Sequence, residues 1–423
     1  MRKKISVEEL EPGMFLDEVC GSWIDNPFWR SRRVISDPKE IALLRASNVS
    51  EVWIDVSKGA DVWPATARAE LLPLTDDGAP VSPTTRRGGS DPTPVPVSVS
   101  VSVSEEIARA VQICAAGKDA VTSMFREARM GNTVDAAGVA DLVEEISSSV
   151  ARNSSALISL ARLKTADDYT YMHSVAVCAM MIALARQLKL PADVVRSVGV
   201  AGLLHDLGKM MLPIEVLNKP GKLTDAEFAV MKKHPELGHA LLLETTTVSE
   251  LALDVCLHHH EKIDGTGYPH RLHADAISLY AKMGAVCDVY DAITSNRPYK
   301  AGWNPAESIR RMAEWAKGHF DERVFHAFVK SVGIYPVGSL VRMASGHLGV
   351  VIAQNEASLT TPKVTLFFST GSDMRIPPEI VDLSRKGEVD RITGPEDPDK
   401  WDFRDIDVIW AGDQARASPP KAA

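Results

Sequence analysis

The rhythm of apolar and polar positions changes several times along the chain, and each change predicts a different kind of element. Up to about residue 70, short runs such as Arg33-Val34-Ile35 and Val52-Trp53-Ile54-Asp55-Val56 lie between turn signals at Pro12-Gly13, Asn26-Pro27 and Asp37-Pro38. They predict a small α+β domain over 1–70. From 71 to 104 the chain is rich in Pro, Gly and Ser, as in Arg86-Arg87-Gly88-Gly89-Ser90 and Asp91-Pro92-Thr93-Pro94, and holds almost nothing able to fill a core. This predicts a linker. The Ser-Val alternation from Val97 to Ser104 has the period of a strand, but Pro96 and the low complexity weigh toward linker.

Helical spacing then takes over. Ser102 and Glu105 form a capping-box pair, and Ile107, Val111, Cys114, Val121 and Phe125 follow along one helical face. Further starts are marked by Thr224 with Glu227, and by Asn304-Pro305 with Glu307. The expectation is an all-α bundle over 105–335. After Tyr335-Pro336, short β runs (Ser339 to Met343, Gly349 to Ile352, Lys363 to Phe368) predict a small β appendage over 336–414. Residues 415–423 carry no pattern and read as a mobile tail.

Composition narrows the functional classes. With 45% apolar and 24% charged residues the chain is of ordinary globular type. Lys and Arg total 47 against 56 Asp and Glu, a net charge of −9, which argues against sequence-independent binding to nucleic acid. Cys20, Cys114, Cys178, Cys256 and Cys287 are scattered, form no CxxC pair, and fit reduced thiols. The uncharged apolar run from Val175 to Ala185 is too short to span a bilayer, and the first residues do not read as a secretory signal. A cytoplasmic location is expected.

Chemistry is concentrated in one region. Nine of the twelve histidines fall between His173 and His273, interleaved with carboxylates. His173 opens an apolar helix, His205-Asp206 closes one, His234 precedes Pro235, His259-His260-Glu261 ends another, and Asp288 lies in a further helical run. Helices of a bundle can converge such side chains, and neighbours such as His205 and Asp206 point about 100° apart, so they can serve two adjacent ions. Imidazole and carboxylate without thiolate suit a catalytic transition metal, with Fe, Mn, Ni, Co and Zn all compatible. A buried carboxylate inside Gly202-Leu-Leu-His-Asp-Leu-Gly-Lys209 would also need a cation. His239, His258, His270, His273, His319, His326 and His347 read as ordinary core or surface residues.

Two ions a few ångströms apart can clamp both the attacking and the leaving oxygen at phosphorus, which suggests phosphoester hydrolysis. Lys209, Arg297 and Lys300 supply local cations for an anionic substrate, although Lys209 also reads as a helix-terminal charge. The turn from Asp264 to Pro269 follows the histidine pair, and its Tyr268 could stack on a base. Glu261 reads either as a carboxylate that orients a histidine ligand or as a helix-end charge.

These motifs, in this order, make residues 150–332 similar to the HD-GYP family, the bacterial branch of the HD phosphohydrolases that hydrolyses cyclic di-GMP. The resemblance rests on Tyr171-Met-His173, His205-Asp206-Leu-Gly-Lys209, Pro213 to Thr224, His234-Pro-Glu-Leu-Gly238, His259 to Pro269, and Asp288 to Lys300. It implies a helical bundle in which His173, His205, Asp206, His234, His259, His260 and Asp288 bind metal, with Asp206 bridging. It also implies catalytic roles for His205, Asp206 and Lys209, and substrate contacts from Lys209, Tyr268, Asp291, Arg297 and Lys300. Residues 1–70 resemble a small domain of unknown function often joined to HD-GYP modules.

Members of that family with three metals carry a glutamate one helical turn before the first histidine. Here Tyr169 stands in that place, with Asp167 and Asp168 off the shared face. The expectation is therefore a binuclear centre, Fe or Mn by resemblance, in which a metal-bridging hydroxide opens cyclic di-GMP to linear pGpG. The rival readings are a non-hydrolysing cyclic di-GMP receptor and an HD phosphohydrolase for another cyclic dinucleotide. The flanking domains leave room for a signalling-protein partner and for a homodimer.

Overall fold

The helix that begins at Tyr169 is apolar on every side, and such a helix has to be surrounded. In the computed structural model it is the centre of the bundle. The structure describes residues 2–19, 33–35, 38–45, 50–60, 101–130, 136–163, 169–219, 221–245, 248–295, 302–355 and 357–412. Cys20, Arg297, Lys300, the Ser-Val repeat up to Ser100 and the tail lie outside the described residues. The chain divides into two units, 1–95 and 96–423.

The first unit is built on an antiparallel sheet of β1 (Arg2–Ser6), β2 (Phe15–Val19), β3 (Arg33–Val34) and β4 (Glu51–Asp55), in the order β1-β4-β2-β3. Helix α1 (Pro38–Arg45) precedes β4. Alternation on β4 turns Val52 and Ile54 inward to join Ile5, Val7, Leu10, Met14, Leu16, Ile35 and Ile41 in the core. The α+β expectation holds, and β1 and β2 are additional to the runs singled out in the sequence.

The second unit opens with α2 (Val103–Arg129), capped as expected: Ser102 N–H donates to Glu105, and Glu105 N–H donates to Ser102 Oγ. Helix α3 (Ala136–Ala161) packs against it. Between them Glu106 is fully buried and takes a bidentate pair from Arg152 at 2.7 and 2.8 Å plus the Ser149 hydroxyl at 2.9 Å. Burial pushes its carboxyl up, and these bonds more than offset that, holding it below its ordinary value. The apolar α4 (Tyr169–Gln187) packs against α2, α3, α5 (Ala192–Leu204), α10 (Leu279–Thr294) and α12 (Glu322–Val332). Its residues from His173 to Ala185 are all buried. The short α6 (Ile214–Leu217), α7 (Asp225–Met231), α8 (His234–Leu243) and α9 (Glu250–His258) lie between α5 and α10 in the chain, and α11 (Pro305–His319) precedes α12. The caps at Thr224 and Asn304 are present.

The C-terminal sheet contains β5 (Leu340–Met343), β6 (His347–Ala353), β7 (Lys363–Ser369), β8 (Met374–Asp382) and β9 (Ile392–Pro395), antiparallel in the order β8-β7-β6-β5-β9. Leu340, Leu348, Val350, Phe367 and Phe368 share a core with Val103, Ile107 and Ala156 of α2 and α3, and with Trp410 of α13 (Ile406–Ala411). The sheet is thus packed onto the bundle. Among the described residues no helix is long and apolar enough to cross a membrane.

Candidate metal centre

Two glycines let the ligand-bearing segments approach. A Cβ on Gly202 would stand 2.9 Å from the Cα of Cys178, so α5 can lie close against α4 and bring His205 to His173. A Cβ on Gly208 would sit 2.0 Å from the His234 carbonyl oxygen. The turn that follows Asp206 therefore rests directly on the start of α8. His205 caps the C-terminus of α5, His234 opens α8, His259 caps α9, and Asp288 lies within α10.

The imidazoles are held by their outer nitrogens. His205 Nδ1 donates to the Gly202 carbonyl at 2.8 Å, His234 Nδ1 to Met231 O at 2.8 Å, and His259 Nδ1 to Val255 O and Cys256 O at 3.0 Å. A carbonyl can only accept, so in each neutral ring Nε2 keeps its lone pair and aims inward. His173 is oriented differently: its Nδ1 lies 2.6 Å from Asp291 Oδ2, the carboxylate–histidine pairing that ligating imidazoles commonly have.

All four Nε2 atoms point at Asp206. Its Oδ2 is 3.3 Å from both His173 and His205, and its Oδ1 is 3.2 Å from His234 and 3.7 Å from His259. Asp288 Oδ1 approaches His173 Nε2 at 3.1 Å, and its Oδ2 lies 3.7 Å from His260 Nδ1. Two groups of donors result: His173, His205, Asp206 and Asp288, and Asp206, His234, His259 and His260, with the donor atoms of each group within 4.8 Å of one another. Asp206 belongs to both.

This arrangement fits a cation. Asp206 Oδ1 is buried and receives no hydrogen bond among the described residues, while the bare Nε2 atoms of His234 and His259 face it only 3.4 Å from each other. Convergent lone pairs in a dry interior repel unless a positive charge lies among them. Burial lowers the pKa of His205, holds His234 down at about 4 and keeps His260 well below its ordinary value. Burial also acts to lower His173, but its bonds to Asp206, Asp288 and Asp291 push it up to about 10. Asp206 and Asp288 stay well below the carboxylate range; burial opposes this, and Lys209 with His205 in one case, and His173 in the other, outweigh it. The ion-free centre is therefore two carboxylates, mostly neutral imidazoles and one stored proton, a set that a divalent ion can enter by displacing that proton.

The remaining expected residues are placed as follows. Lys209 lies in the last turn of the short 3₁₀ helix Leu207–Met211, and its ammonium pairs with Asp206 Oδ2. Tyr268 stacks one face on His260, with centroids 4.6 Å apart, so that face is closed to a base. Asp291, expected at the substrate, is instead buried behind His173 and also accepts from Ser295 Oγ at 3.2 Å; its carboxylate serves the histidine. Glu261 matches neither alternative offered for it. It is buried and accepts from the backbone N–H of His270 at 2.7 Å and of Leu272 at 3.0 Å, tying down the turn that follows Tyr268. Tyr169 is the first residue of α4, one turn before His173, while Asp167 and Asp168 lie outside the described residues.

With the geometry established, comparison with known proteins is informative. The chain matches the HD domain family over residues 144–324 and the domain of unknown function DUF3391 over residues 2–139. It is 56% identical over 415 residues to the cyclic di-GMP phosphodiesterase PA4108 of Pseudomonas aeruginosa, covering 97% of this chain and 96% of that protein. The chain belongs to the HD-GYP family. Other relatives match over shorter spans. A cyclic di-GMP phosphodiesterase of Vibrio cholerae is 45% identical over 132 residues, 30% of this chain and 27% of that one. The 3'3'-cGAMP-specific phosphodiesterase 1 of the same organism is 32% identical over 165 residues, 39% and 38% of the two chains. The DUF3391 match runs through the segment read as linker and takes in α2.

Proposed function

We propose that this chain is a metal-dependent phosphodiesterase that opens cyclic di-GMP to linear pGpG at a centre of two divalent ions, Fe or Mn, sharing Asp206. The observation that carries the reading is the buried Asp206 carboxylate standing between two donor groups, one of its oxygens without a hydrogen bond among the described residues. His173, His205 and Asp288 would complete one site, and His234, His259 and His260 the other. Divalent ions held there supply charge neutralisation at the phosphate and a water acidic enough to attack near neutral pH. The chain's own residues dry the site and fix the histidine tautomers, with Asp291 orienting His173. Lys209, only partly buried beside Asp206, would face the substrate phosphate, with Arg297 and Lys300 as further phosphate or guanine contacts.

The substrate assignment is supported by the relative that matches along 97% of the chain being named for cyclic di-GMP, whereas relatives named for 3'3'-cGAMP match over 31% to 40% of it. The flanking modules are read as the places where a signalling partner or a second copy would act, in a cytoplasmic setting that suits the thiol form of the four described cysteines. A complete donor set weighs against a purely receptor role.

The test is turnover of cyclic di-GMP by anaerobically purified protein with Fe(II) or Mn(II), alongside Asp206→Ala, with products separated by chromatography and 3'3'-cGAMP as competitor. Metal-dependent pGpG formation, absent in the variant, is the expected result. No turnover by metal-loaded protein that still binds the dinucleotide would establish the receptor reading instead, and GMP accumulating as fast as pGpG would overturn the two-ion product assignment.

A further inference from the structure

Outside the buried centre, a second pair of histidines is arranged in the same way. His258 Nε2 and His270 Nδ1 face each other at 3.1 Å, next to the 3.2 Å of the His173–His205 pair and the 3.4 Å of His234–His259. His258 is also fixed as a ligating imidazole commonly is: its Nδ1 lies 2.7 Å from Asp254 Oδ1, and the other Asp254 oxygen accepts from the Ser278 hydroxyl. Nδ1–H held by a carboxylate leaves the His258 Nε2 lone pair directed at His270. The two rings come from different segments, the last residue of α9 and the loop after Pro269, and His270 is exposed to solvent. His239 on α8 is close enough that, after burial, His258 and His270 lower its pKa.

We propose that His258 and His270 form a second, solvent-facing site for an imidazole-preferring divalent ion such as Zn(II), Ni(II) or Cu(II), with Asp254 orienting His258. These residues, read from the sequence as ordinary, acquire this role only from their juxtaposition. With bonds of about 2.1 Å, a 3.1 Å separation of the nitrogens corresponds to an angle of about 95° at the ion, within the range that four- to six-coordinate sites use. In the ion-free state His270 Nδ1–H donates to the His258 Nε2 lone pair. On binding, that proton leaves His270 Nδ1 and His270 takes the tautomer protonated at its outer Nε2, so the ion replaces a hydrogen bond without breaking the pair. Because the His270 backbone is already held by Glu261, occupation would staple the loop that carries Tyr268 to the end of α9, beside His259 and His260. The proposal does not depend on the substrate of the buried centre.

The test uses full-length protein loaded with Mn(II), titrated calorimetrically with Ni(II), with Mn and Ni counted on the same samples, for the wild type, His270→Ala and Asp254→Asn. Wild type should take up one Ni(II) beyond its retained Mn(II). His270→Ala, an exposed loop change, should lose that equivalent with its Mn(II) content unchanged. Asp254→Asn should bind Ni(II) about 10- to 100-fold more weakly. Equal Ni(II) uptake by wild type and His270→Ala, or uptake matched by release of Mn(II), would overturn the proposal.

Discussion

Around Asp206 Oδ2 stand two imidazoles and a second carboxylate, His173, His205 and Asp288, whereas around Oδ1 stand three imidazoles, His234, His259 and His260. The first half carries more negative charge, and its carboxylates outweigh burial in raising the pKa of His173; in the second, His234 and His259 are fixed by backbone carbonyls. The contrast teaches that one shared carboxylate can support two unlike positions, the carboxylate-rich one suited to harder ions and the imidazole-rich one to softer ions. The halves also differ in how they are supported. Asp291 on α10 and Ser295 directly after it brace the first, and the loop held by Glu261, with Tyr268 lying on His260, closes over the second.

The comparison can be broken most severely at its hinge. Asp206→Ala should empty both halves and lower turnover on the order of 10³-fold or more, measured with metal content on the same sample. Next come the two one-sided changes. Asp288→Ala and His260→Ala should each lose about one ion and cost on the order of 10²-fold in turnover; loss of both ions from either would show that the halves do not fill separately. A smaller effect is expected from Asp291→Asn, which keeps the shape but weakens the anchor of His173. Metal affinity of the carboxylate-rich half should fall about 10- to 100-fold, with the other half unaffected, as read by chelator competition. Smallest is Glu261→Gln, which loosens the loop: KM should rise about tenfold while metal content stays at the wild-type level.

Much of this was legible in the sequence because the relevant signals are local. Capping boxes at Ser102 and Thr224 start helices where expected, and the all-apolar stretch from Val175 to Ala185 becomes the buried central helix. That these histidines and carboxylates would be brought together was readable from their concentration and their interleaving along the chain. What escaped is information that only the fold supplies. Asp291 is 118 residues from His173, and although it lies one helical turn after Asp288, nothing local distinguishes a carboxylate facing substrate from one facing a histidine. Glu261 does its work through the backbone N–H groups of His270 and Leu272, which no side-chain pattern encodes. Strand β8 holds Pro377 and Pro378, which disfavour a strand, yet it is the edge of its sheet, where a missing N–H is tolerated. The role of Gly208 likewise depends on the start of α8 lying against it.

The central claim is a two-ion centre hinged on Asp206, and the most direct measurement is the number of metal equivalents per chain in anaerobically prepared wild type, Asp206→Ala, Asp288→Ala and His260→Ala. The account predicts about two in the wild type, about one in each one-sided variant and none above background in Asp206→Ala. A single equivalent in the wild type, or two retained in Asp206→Ala, would contradict it.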